Sequence, residues 1–196
     1  MVSLSSHEVG HPDIATTSSL DKLRMRSAAQ MAVAPRHTAA VSALALAGTE
    51  SVLEIGCGHG VAVRLVLERL TTGTITALDR SQKMIDLVSA IADNRLHTRS
   101  EALEEADFGG ERFDAIFAVN LDLNLRLGTR WPAMLRALLK PGGRVVLAFD
   151  PPDAPAERGK GHAFAGKSLD RLAAAGFNAV LLPAHGKVTV IRAELA

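Results

Sequence analysis

Cysteine is nearly absent. One residue, Cys57, stands in a chain of 196, so no intrachain disulfide can form and a reducing compartment fits. Long apolar runs are missing as well, and nothing approaches the ~20 residues of a membrane span. Residues 1–19, MVSLSSHEVGHPDIATTSS, contain neither a basic n-region nor an apolar core. No secretory signal is expected from them, and the location read from the sequence is cytoplasmic. There is no excess of charge either. Lys and Arg number 22 against 21 Asp and Glu, a net charge of +1. A protein built to grip nucleic acid through a broad basic face is thereby disfavoured, although a local patch is compatible with that balance. What is present is ordinary globular composition, 47% hydrophobic and 22% charged, at a length suited to one domain with its own core.

Residues 1–18 are polar and aperiodic and read as a flexible lead. Ser18-Ser19-Leu20-Asp21 offers a capping box for a first helix, which Pro35 should end or interrupt. A second helix is expected over Arg36–Leu46, stopping at Gly48. Residues 19–48 are expected to be helical and to serve as a cap or lid ahead of a core at 49–196. From Ser51 strands and helices alternate. Strands are expected at Val52–Ile55, Thr74–Leu78, Leu96–Ser100, Phe113–Val119 and Gly143–Phe149. Helices are expected at Ala62–Leu70, from Ser81 to about Ile91, at Trp131–Leu139 and at Lys167–Ala175. A polar loop should follow Val119, a rigid turn should form at Asp150-Pro151-Pro152-Asp153, and a glycine-rich loop should span Arg158–Phe164. Alternation of this kind makes a parallel sheet covered on both faces. The ending differs, because Asn178–Leu182 and Lys187–Arg192 are separated only by a turn with Pro183 and Gly186. A parallel crossover needs a dozen or more residues, so these two strands should pair antiparallel.

Between the first strand and its helix lies Glu54-Ile55-Gly56-Cys57-Gly58-His59-Gly60. Glycines at alternate positions leave the backbone bare, so a ligand can press against it. Taken alone, such a loop could also be nothing more than a tight turn. The dinucleotide pattern G-x-G-x-x-G fails here, since Gly60 comes one residue early and Val61 occupies the expected glycine position. Glu54 would repel a pyrophosphate but would suit a ligand bearing an ammonium group. Asp79 follows Gly60 by 19 residues, at the end of the second strand. An acid at that distance accepts both hydroxyls of a ribose. The bland alternative for an Asp before a Ser is a helix cap.

With these residues in view, the chain resembles the class I S-adenosylmethionine-dependent methyltransferases. Leu53–Gly60 is similar to the first motif of that family and Ala77–Ile85 to its second. Phe113–Asn120 resembles the fourth strand, and Leu138–Leu147 the turn into the fifth. The likeness covers Thr49–Ala196. It implies one Rossmann-like, doubly wound α/β sheet of about seven strands, mostly parallel with a reversed last strand, plus N-terminal helices. It also implies S-adenosylmethionine as cofactor. Gly56, Gly58 and Gly60 would pass under the methionine part and ribose, with Cys57 as a small space-filler and His59 in the same loop. Glu54 would reach the amino group and Asp79 the ribose. Arg80 and Met84 would lie against the adenine, Glu101-Ala102 near its amino group, and Asn120 by the methionine part.

Methyl transfer from a sulfonium needs a placed nucleophile and little else, so the acceptor half leaves a weaker imprint on the sequence. A base is required only where the acceptor must lose a proton. Candidates are His162, Asp122 and His37. The Asn/Asp-Pro-Pro-aromatic motif of nucleic-acid amino methylation is missing after the fourth strand. No metal site is expected. The partner is read as a small organic acceptor, with neither membrane nor nucleic acid, and a homodimer is compatible with the sequence. Two alternatives stay open: a non-methylating cofactor binder, and an RNA or protein methyltransferase resting on Arg95, Arg99, Arg158 and Lys160.

Overall fold

The computed structural model describes residues 33–150, 158–183 and 187–195, and of 158–163 the backbone alone. These residues belong to one compact unit, 33–196. The expected flexible lead, first helix and Pro-Pro turn lie outside the described residues.

The elements run α1 (Pro35–Leu44), β1 (Ser51–Ile55), α2 (Val61–Leu67), β2 (Thr74–Asp79), α3 (Gln82–Ser89), β3 (Leu96–Ser100), β4 (Phe113–Val119), α4 (Leu123–Leu127), α5 (Trp131–Leu138), β5 (Leu139–Phe149), α6 (Arg158–Ala174), β6 (Phe177–Leu181) and β7 (Thr189–Leu195). The seven strands form one sheet in the order β3-β2-β1-β4-β5-β7-β6. β1 to β5 are parallel to one another. β7 runs antiparallel between β5 and β6, from Arg144 opposite Glu194 to Phe149 opposite Thr189. The chain winds outward from β1 to β3 and then returns to the other side of β1. The carboxyl ends of β1 and β4 therefore part at the switch point, where open α/β sheets bind their ligands.

Two apolar layers sandwich the sheet. One gathers α1, α2 and α3 around Val52, Val63, Ile75, Val88 and Phe117. The other gathers Trp131, Leu135 and Leu172 around Leu53, Ile116 and Leu147. Strands between two apolar layers must be apolar on both faces, which is why β1 and β4 read as near-continuous hydrophobic runs.

Several expectations need correction. Pro35 opens α1, one residue before the expected start at Arg36, where its missing N–H costs nothing. α1 stops at Leu44, with Ala45 rather than Gly48 in the left-handed cap. It buries Ala39, Ala40, Val41, Ala43 and Leu44, so this part of the expected lid is a core helix and the unit begins near residue 33. The loop expected after Val119 holds α4, which is only five residues long. The glycine-rich stretch at 158–164 is helical, so α6 starts nine residues before the expected Lys167. Gly159, Gly161 and Gly166 each cost about 1 kcal/mol in a helix and hid it from propensity. Burial of Ala165, Ser168 and Leu172 outweighs them. β5 likewise starts at Leu139, with an irregular register between Phe113 and Ala115 that accommodates Lys140–Gly143.

Candidate functional site

The loop after β1 is pinned from both sides. The Gly56 and Cys57 N–H groups donate to the Leu78 carbonyl at 2.7 and 3.1 Å, tying the loop to the end of β2. Gly60 closes it with φ +73°, and a Cβ there would stand 2.9 Å from Val88 Cγ2. The third glycine thus serves close packing of α3 against the start of α2. Gly58 differs: at φ +50° it faces open space, with nothing within 4 Å of where a Cβ would project. Its N–H donates to Asp79 Oδ2 at 3.0 Å, and the Ser81 N–H donates to Oδ1 at 2.9 Å. Each oxygen keeps a lone pair for a ligand. Asp79 is therefore both the fixed carboxylate at the head of β2 and the partner of the turn before α3. Ser81 sits at the N-cap of that helix without a side-chain cap bond.

A cleft of about 430 Å³ opens beside this loop at the carboxyl ends of β1 to β4. That volume lies in the range of small-molecule and cofactor sites. Gly56, Asp79, Arg80, Glu101, Ala102 and Asn120 all line it. Glu54, Cys57, Gly58, His59, Gly60 and Met84 do not stand on its wall. His59 is exposed and Met84 half-buried. Glu101 is paired with Arg99, whose guanidinium also stacks on Phe108 at 4.6 Å. Asn120, at φ +52°, braces the ends of β4 and β5. Its N–H donates to the Ala148 carbonyl at 2.8 Å, while its Oδ1 accepts from the Asp150 N–H at 2.9 Å. The Asn120 amide oxygen is thus already used within the fold.

Glu54 is 2% exposed, and its Oε2 has no hydrogen-bond partner. Burial, aided by the charge of Asp79, pushes its carboxyl well above the usual range. A buried unpartnered carboxylate is costly, and a cation at the loop would repay that cost. Burial likewise drives the Cys57 thiol up to about 12, with Glu54 and Asp79 adding to the shift, which leaves no thiolate at neutral pH for nucleophilic work.

The three base candidates separate. Asp122 is the N-cap of α4: its Oδ1 accepts from the Leu125 N–H at 2.8 Å, so its carboxylate has a structural task. His162 lies within α6 rather than in a loop, and its side chain is outside the described residues. His37 lies in the first turn of α1, beside Arg36, which pairs with Asp150 just past the end of β5. The His37 Nδ1 is buried without a partner. Burial lowers its pKa, as does Arg36, against raising contributions from the Ala34 carbonyl and Asp150.

Sequence reasoning missed the cleft wall supplied by Leu121, Leu123, Arg126 and Leu127. A signal existed, since Asp122 is a good N-cap and Leu123 and Leu127 stand at helical spacing. Five residues were too few to show a period.

The family model described as methyltransferase domain matches residues 52–143. That stretch begins at β1 and ends within β5, and so includes the loop, Asp79 and the cleft. Just under half of the chain thus matches a methyltransferase domain, and the chain is similar to the S-adenosylmethionine-dependent methyltransferases. The uncharacterized methyltransferase YdaC of Bacillus subtilis is 23% identical over 138 residues, 70% of this chain and 76% of that one. A highly reducing polyketide synthase of Fusarium mangiferae is 35% identical over 100 residues, 49% of this chain. This methyltransferase spans only 4% of that synthase's length. Among solved structures, the N-methyltransferase NodS of Bradyrhizobium japonicum superimposes with a TM-score of 0.63 at 16% identity, over 82% of this chain and 94% of NodS. NodS has also been solved with S-adenosylhomocysteine. The methyltransferase seen with the Trm112 activator of Haloferax volcanii gives 0.68 at 14% identity, over 91% and 96% of the two chains. At these identities the structural likeness speaks for the fold. Among the described residues, no helix of the methyltransferase is long and apolar enough to cross a membrane.

Proposed function

We propose that this methyltransferase passes a methyl group from S-adenosylmethionine to a small organic acceptor and releases S-adenosylhomocysteine. The observation that carries the reading is Asp79, an acid held by two backbone N–H groups on the wall of the cleft with a lone pair left on each oxygen. The residues present fit the cofactor: Asp79 would accept from the ribose hydroxyls, and Gly58 leaves open space beside it. Glu54, orphaned beneath the loop, would answer the positive charge of the methionine part, and Arg80, Glu101 and Ala102 would border the adenine. When bound, S-adenosylmethionine supplies an activated methyl group on a sulfonium, displaced in line with a neutral thioether leaving.

The chain's own tasks are to orient the acceptor, exclude water and, for a hydroxyl or ammonium acceptor, to take a proton. Of the three candidates His37 is our choice of base, supported by its neighbour Arg36, which pairs with Asp150 past the end of β5, although His37 itself does not line the cleft. It sits by the end of β5 and is held neutral at pH 7 by burial. The RNA alternative loses support from two of its four basic residues. Arg95 is spent on Asp93 and the Leu70 carbonyl, and Arg99 on Glu101 and the Asp107 carbonyl.

Calorimetric titration with S-adenosylmethionine, S-adenosylhomocysteine and NAD tests the cofactor half. Micromolar binding of the two sulfur compounds and none of NAD is expected; the reverse pattern would overturn it. A panel of phenols, amines and carboxylic acids, read by S-adenosylhomocysteine release, tests transfer. Binding without turnover on any of them would favour the non-methylating reading. On an active acceptor, His37→Asn should lower turnover by about 10²–10⁴-fold and remove the acid limb of the pH profile, the usual range for losing a general base. Wild-type turnover in that variant would remove His37 from the reaction, and the same assay on His162→Ala decides His162. The lowered pKa has a second consequence. Below pH 6.5 the unfolded chain takes up the His37 proton first, so folding stability should fall as the pH drops through that value.

A further inference from the structure

α4 forms one wall of the cleft, yet little in its own sequence holds it there. At five residues it is too short to persist alone. Leu125 is 82% exposed, so the outer side of the helix packs on nothing. Two leucines, Leu123 and Leu127, anchor the inner side. Between them stands Asn124, which spends both ends of its amide on other helices. Its Oδ1 accepts from Trp131 Nε1, in α5, at 3.1 Å and from Arg171 Nη1, in α6, at 2.5 Å. Its Nδ2 donates to Ser168 Oγ, also in α6, at 2.8 Å. Arg171 Nη1 reaches on to the carbonyl of Gly128, just past the end of α4. Trp131 and Ser168 are wholly buried. The three helices thus meet in a polar knot inside an apolar layer, and such a knot fixes one arrangement because every alternative leaves buried donors unpaired.

We propose that Asn124 is a positioning residue for cofactor binding. By tying α4 to α5 and α6, it holds Leu123, Arg126 and Leu127 against the cleft and Leu121 over the glycine loop. The reach of Leu121 is direct: a Cβ on Gly56 would stand 3.3 Å from Leu121 Cδ2. The inference rests on the reading of this cleft as the S-adenosylmethionine site. Asn124 touches no ligand in this scheme; it acts through the wall it fixes. The direction of its hydrogen bonds also predicts which substitution is tolerated. Asp keeps the acceptor for Trp131 and gains a charge partner in Arg171, while the Ser168 hydroxyl can turn and donate instead. Leu keeps the volume and loses all three bonds.

The test is S-adenosylhomocysteine binding by the full chain, at a temperature where each variant is fully folded, with hydrogen exchange of the Leu123–Leu127 amides measured alongside. In Asn124→Leu the Kd should rise about tenfold or more, the cost of unpairing buried polar groups. The α4 amides should exchange faster while those of β1 and β4 stay protected. Asn124→Asp should bind within a few-fold of wild type. Ser168→Ala removes one partner of Asn124 at little change in volume, and it should raise the Kd by a few-fold; it decides the matter if Asn124→Leu does not fold. Variants with a lowered Tm but an unchanged Kd would show that the knot serves stability alone and would overturn the proposal. Wild-type protein that binds no S-adenosylhomocysteine would instead overturn the cofactor reading beneath it.

Discussion

Replacing Asp79 by alanine should weaken S-adenosylhomocysteine binding by about ten- to a hundredfold, the ~1.5–3 kcal/mol typical of a lost hydrogen bond to a charged group. The expectation follows from where the carboxylate stands. Its two oxygens are fixed by the N–H groups of Gly58 and Ser81, so it is oriented before any ligand arrives. A preorganised acceptor costs no reorganisation on binding, so its removal appears almost entirely in affinity. The variant also frees the Gly58 and Ser81 N–H groups, which loosens the turn into α3. Asp79→Asn separates the two effects: its amide oxygen holds one N–H while the charge is gone. If a folded Asp79→Ala protein binds as the wild type does, the ribose assignment fails. The calorimeter reads affinity and a thermal melt reads folding, so a collapsed variant cannot be mistaken for a weak binder.

Glu54 should produce an effect of opposite sign on stability and on binding. Its carboxyl lies in the apolar layer beneath the loop, with Oε2 unpartnered and its pKa raised by burial and by Asp79. In the free protein the folded state therefore holds the Glu54 proton above the ordinary carboxylate pKa, where the unfolded chain has already released it. Stability contributed by this group is full at low pH and is lost as the pH rises above about 4.5. Glu54→Gln should lack that slope, and the difference between the two melting curves against pH isolates it from the opposite slope of His37. On binding a cation the carboxyl should ionise and release its proton. The wild-type binding enthalpy should then depend on the ionisation enthalpy of the buffer, and affinity should rise with pH by up to about tenfold per unit. Both effects should vanish in Glu54→Gln, with weaker binding. Equal proton release by the variant would assign the proton to another group.

Much of the fold was legible because its signals are local. β1 and β4 are apolar or β-branched runs bounded by turn residues, and β3 and β4 begin and end where the sequence reading placed them. The antiparallel end followed from loop length alone, since a crossover does not fit between β6 and β7. The glycine loop and Asp79 could be read because a bare backbone and an acid at fixed separation are covalent facts about the chain. Elsewhere local preference was outvoted. The glycines of α6 disfavour a helix, yet it runs from Arg158, with Ala165, Ser168 and Leu172 buried further along. Asp122 had the look of a base and proved to be a cap. α1 had the look of a lid, and its alanines and leucine proved to be core.

By itself the sequence determined the alternation of elements, the reversed final strand and the loop-plus-acid pair that we read as the cofactor side. Each of these depends on residues close in the chain or at a fixed interval along it. Only the tertiary structure decided which side chains share the cleft and which are spent elsewhere. Hydrogen bonds such as those joining Asn124 to Ser168 and Arg171, or Asp150 to Asn120, connect residues 30 to 47 positions apart. No periodicity records such pairings, because they come into being only when the helices and the strand ends are brought together by burial of the apolar faces around them.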